Sequence, residues 1–141
     1  KGFLKAQANS VSQEKYSGIQ VKKDKVVSKA WVYMKRAHLH SQTMGVIAIA
    51  FSLLVAGLNF HPKIQLGVSV LSGVGSLGYG FFWLLAALLA PAMGGTHAAK
   101  EAVSLVAQFS GGSFFVAAVT VFAVLVYKMF VKRQVEPLEN S

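Results

Sequence analysis

Residues 64–90 read IQLGVSVLSGVGSLGYGFFWLLAALLA, a run without one charged side chain. A helix needs about 20 apolar residues to cross roughly 30 Å of hydrocarbon, and this run exceeds that. Working outward, Asn59-Phe60-His61-Pro62-Lys63 precedes it and Pro91 with Gly94-Gly95 follows it. These are stop and start signals for helices, since proline lacks a backbone donor and suits a first helical turn. A second apolar run lies before the first punctuation, about Thr43 to Phe60, and a third after the second, about Ala102 to Tyr127. The sequence therefore predicts an all-α membrane bundle with spans near 43–60, 64–90 and 102–127. The second and third are long enough to predict tilt or protrusion.

Charge distribution supports this reading. Between Gln42 and Tyr127 only Lys63, Lys100 and Glu101 are charged, and the chain as a whole is 54% hydrophobic and 13% charged. Soluble helices would need polar outer faces that these runs lack. The net charge of +9 is concentrated near the ends. Lysines beside apolar spans point to anionic lipid headgroups and not to nucleic acid, because no base-stacking aromatic pattern accompanies them.

Two regions follow: a basic polar extramembrane segment over 1–25, and a transmembrane domain over 26–141. Val26, Val27, Ala30, Trp31 and Met34 fall at helical spacing among Lys25, Lys29, Lys35 and Arg36. That pattern predicts an amphipathic helix at headgroup level, running into the first span and anchored by Trp31 and Tyr33. The first 20 residues contain no apolar signal-peptide run, and a hydrophobic segment upstream of Lys1 would raise the helix count to four. Lysine and arginine counts place the N-terminus weakly on the cytoplasmic side.

Close helix contact in a membrane needs small residues. Ser69, Gly73, Ser76 and Gly80 fall near one line of the second span and predict a groove for another helix. On the first span His38, Gly45, Ser52 and Asn59 recur with a period of seven, extended by Ser41 and Ala56. Polar groups are costly against lipid, so this stripe is expected to face protein, as is Gln108 on the third span. Phe81, Phe82, Trp83, Phe114, Phe115 and Phe122 are expected outward.

Catalytic chemistry is hard to assemble from these residues. The spans hold no Asp or Glu, there is no cysteine, and no phosphate loop, Ser-His-Asp set or HExxH motif occurs. The histidines are His38, His40, His61 and His97. His38 and His97 are expected on one membrane side, where a pair of imidazoles could ligate haem b or hydrogen-bond a quinone. His40 lies about 200° from His38 on a helix and should point elsewhere. Three functions remain in view: an accessory subunit of a larger membrane complex, such as an electron-transfer assembly; a haem- or quinone-binding redox subunit; and a small channel or transporter. The partners expected are the lipid bilayer and other membrane subunits or further copies of the chain.

Overall fold

In a computed structural model, which describes residues 2–5 and 20–132, every long element is helical and no strand occurs among the described residues. Helix α1 spans Gln20–Gly57, α2 Pro62–Ala92, α3 Thr96–Ala102 and α4 Ser104–Val126, and a π-helical turn covers Tyr127–Lys132. Three of these helices are long and apolar enough to cross a membrane. The chain is thus an all-α membrane bundle.

The turns obey the local chemistry. Helix α1 stops at Gly57 because Asn59 adopts φ 53°, the left-handed conformation that asparagine tolerates. The Phe60 amide donates to Val55 O at 3.4 Å and the Asn59 amide to Ala56 O at 3.0 Å, closing a Schellman cap. Asn59 is thus a turn residue and not part of the α1 stripe expected of it. Helix α2 then starts on Pro62, with His61 Nδ1 accepting from the Lys63 amide at 3.3 Å. It ends in a second Schellman cap, where Gly94 has φ 69° and the Gly95 amide donates to Ala90 O at 3.1 Å.

Helix α1 is longer than its apolar run. Its 38 residues form one helix that includes the expected amphipathic stretch, so a boundary at residue 25 falls inside it. Reckoned from the Gly57–Pro62 turn, about 20 residues of hydrocarbon reach roughly residue 38 on α1 and residue 83 on α2. Beyond that level, α1 buries Val26, Val27 and Ala30 against Ala90 of α2, Ala99 of α3 and Leu4, with Trp31 and Met34 beside them. Lys22, Lys25, Lys29, Lys35 and Arg36 stay on the exposed face. This is a small hydrophobic core at the end of the bundle away from the Gly57–Pro62 turn. It explains the surplus apolar length of α2: no residue from Leu84 to Ala92 is exposed, whereas Leu66, Val70, Val74, Leu77 and Phe81 lower down all are.

Helix α2 is the centre of a row. It packs along its length on α1 and, on a different face, on α4, while α1 and α4 make little contact with each other. Near the Gly57–Pro62 turn Val55, Val68 and Val121 form a common core, and Phe51 meets Phe114 with ring centroids 6.0 Å apart. Lys128 Nζ donates to Leu58 O and lies 5.0 Å from the Phe60 ring centroid, tying the end of α4 to that turn.

Candidate functional site

The packing seams were only partly visible as polar stripes. On α1 the buried line is Ala30, Ala37, Ala48 and Val55. The expected stripe runs beside it: His38 is exposed, and a Cβ on Gly45 would meet nothing within 4 Å. Ser52 donates its hydroxyl to Ala48 O at 2.9 Å, so it needs no partner helix. On α2, Gly80 lies against Ser41 and Ala37 of α1, and Ser76 is buried with its hydroxyl on Gly73 O at 2.9 Å. Ser69 is half-buried. Gly73 has open space where a side chain would begin. The closest approach to another helix's backbone lies outside the expected line: a Cβ on Gly75 would sit 2.8 Å from Phe114 Cβ, Phe114 N and Ser110 O. Gly78 likewise lies against Ser110.

On α4, Gln108 is exposed, and the buried polar residue is Ser110. Any protein that Gln108 faces therefore lies outside this chain. Of the aromatics expected outward, Phe81, Phe115 and Phe122 are exposed. Phe82 is buried, and Trp83 and Phe114 are half-buried. They fill the angle between α1 and α4 that a row of three helices leaves open.

The four histidines have different surroundings. His97 lies on α3 with Nδ1 3.4 Å from Glu101 Oε2, both side chains largely exposed. His38 lines a groove of about 430 Å³ between α1 and α2, with Met34, Ser41, Leu77, Gly80 and Phe81. His97 does not line that groove. His61 caps α2. The described residues offer no set of three or more His, Asp or Glu side chains placed to hold a metal ion.

His40 points to the other face, into a cluster that spacing alone did not single out. Its ring stacks on Trp83 at 6.0 Å and 13° and meets Tyr79 edge-on at 5.3 Å. Tyr33 meets Trp83 edge-on at 5.0 Å, and Phe82 does so at 5.1 Å. The Arg36 guanidinium lies 5.1 Å from the Trp83 ring centroid and 5.7 Å from that of Tyr33. Tyr33, Arg36 and His40 occupy i, i+3 and i+7 of α1, and Tyr79 and Trp83 occupy i and i+4 of α2, so each set shares one helix face. That spacing was available in the sequence as a signal. Their meeting required the α1–α2 register, which pairs Ala37 and Ser41 with Gly80.

The electrostatics of the cluster are one-sided. A guanidinium over aromatic faces gains cation–π attraction and keeps its donors free. The Trp83 Nε1 is buried and has no hydrogen-bond partner among the described residues, which costs about 1–3 kcal/mol. Compared with known protein families, with curated proteins and with solved structures, the chain matches none.

Proposed function

We propose that this chain is a non-catalytic membrane subunit that docks other membrane proteins, or further copies of itself, on the open faces of its helix row. The observation that carries the proposal is the unequal burial of the three spans. The apolar window of α2 is 39% buried within the chain, against 11% for α1 and 22% for α4. The α1–α2 groove has a shape a further helix could enter, floored by Gly80 and edged by Leu77 and Phe81. Small residues at such a groove let backbones approach where lipid and leucine are equally apolar. The redox alternative, haem b or a quinone between His38 and His97, draws no support from the placement of those two side chains. The channel alternative has no charged residue within 43–60, 64–90 or 102–127 to line a pathway.

Native mass spectrometry of the protein extracted in mild detergent tests the docking reading. The expected result is a particle heavier than the 15.1 kDa chain. Leu77 is 73% exposed and Leu105 is 78% exposed, so tryptophan at either leaves the chain's own packing alone. Leu77→Trp should release the bound partner and Leu105→Trp should not. A lone chain in every preparation would sink the proposal.

A further inference from the structure

We propose that the Tyr33–Arg36–His40–Tyr79–Trp83 cluster binds the phosphate group of an anionic lipid headgroup. Three observations converge on that chemistry.

The cluster is rich in donors and poor in acceptors. The Arg36 guanidinium, the Tyr33 and Tyr79 hydroxyls, the His40 ring and Trp83 Nε1 have no hydrogen-bond partner among the described residues. A phosphate oxygen is an acceptor with several lone pairs, and a guanidinium fork matches its geometry. Nor does any carboxylate among the described residues neutralise Arg36. The described carboxylates are Asp24 and Glu101; Glu101 pairs with His97, and Asp24 lies about 18 Å away along α1 by helix rise.

The guanidinium is also held in place in advance. Its contacts with the Trp83 and Tyr33 rings fix it without a counter-ion, so less side-chain freedom is lost when an anion arrives. Finally, the cluster lies at the level where hydrocarbon gives way to headgroups, about residue 38 on α1 and residue 83 on α2. The exposed Lys22, Lys25 and Lys29 lie above it on α1, Lys35 lies level with it, and the exposed Leu77 and Phe81 lie at or below it on α2. A lipid entering between α1 and α4 would bring its phosphate to this height.

The test uses the full chain in nanodiscs, with Trp31→Phe leaving Trp83 as the single indole. Phosphatidylglycerol is titrated into phosphatidylcholine, and both Trp83 emission and the lipids retained in native mass spectrometry are followed. The expected result is a saturating emission change with phosphatidylglycerol retained on the protein. Arg36→Gln should shift the midpoint about tenfold, and Arg36→Lys, which keeps charge but loses the fork, should fall between. Lys35→Gln removes the same charge from the face of α1 that carries Trp31, Met34 and His38, away from the cluster, and should shift it far less. Inorganic phosphate is titrated in parallel over phosphatidylcholine alone. An Arg36-dependent response to phosphatidylglycerol alone supports the headgroup. An equal response to inorganic phosphate keeps the phosphate site but overturns lipid as its source. Equal shifts from Arg36→Gln and Lys35→Gln, or no response to either ligand, overturn the site.

Discussion

Gly73 and Gly75 sit two residues apart on α2, and helical geometry sends them to different surroundings. A methyl group on Gly75 would press on the backbone of Ser110 and Phe114, which cannot swing aside as a flexible side chain can. Gly75→Ala should therefore cost about 1–3 kcal/mol in detergent unfolding, as overpacking does elsewhere. Gly73→Ala meets open space and should stay within about 1 kcal/mol of the parent. Equal losses at both positions would contradict the α2–α4 register. Polar character was a poor guide to contact at this scale. Ser52 and Ser76 satisfy their hydroxyls on their own helices, so neither had to choose a protein neighbour. Alanine carries no such signal, yet Ala37, Ala48 and Ala90 form the seams.

At the scale of elements, caps fix where the helices end. Asn59 holds a left-handed backbone that β-branched side chains resist. Asn59→Val should lose about 1–2 kcal/mol, while Asn59→Gly should be neutral or slightly stabilising. Thermal unfolding followed by circular dichroism distinguishes them, and a harmless valine would mean the turn is not built this way. Both turns were legible as punctuation, since Asn-x-His-Pro and Gly-Gly interrupt apolar runs. The continuity of α1 was legible only in part. Its basic amphipathic portion and its apolar portion have different compositions and read as two regions, yet no breaker separates them. Helical hydrogen bonds do not depend on which face meets lipid, so the helix runs through.

At the scale of the whole molecule, the row arrangement determines which parts are held. Helix α2 is flanked on two sides, whereas α1 and α4 each lean on one long neighbour. The tie between Lys128 and the Leu58 carbonyl therefore bears on the free end of α4. Lys128→Met should raise amide hydrogen exchange in α4 near Leu125 and in the following turn about fivefold, the worth of roughly 1 kcal/mol for one hydrogen bond. Exchange in the middle of α2 should not change. A rise spread evenly over all helices would mean that Lys128 supports the fold globally.

The sequence by itself determined the all-α class of this protein, the number of apolar spans and the breaks at Gly57–Pro62 and Ala92–Thr96. Those follow from local quantities, namely apolar run length, the scarcity of charge between Gln42 and Tyr127, and the backbone limits of proline, glycine and asparagine. Tertiary structure alone decided which of several small-residue faces became seams, because α2 offers glycine in more than one direction and only packing selects among them. It also decided that Leu84–Ala92 is covered at the end of the bundle away from the Gly57–Pro62 turn, and that His40, not His38, joins Trp83 and Arg36. Both outcomes depend on the register between α1 and α2, a relation between residues about 40–60 positions apart that no periodicity within one helix encodes.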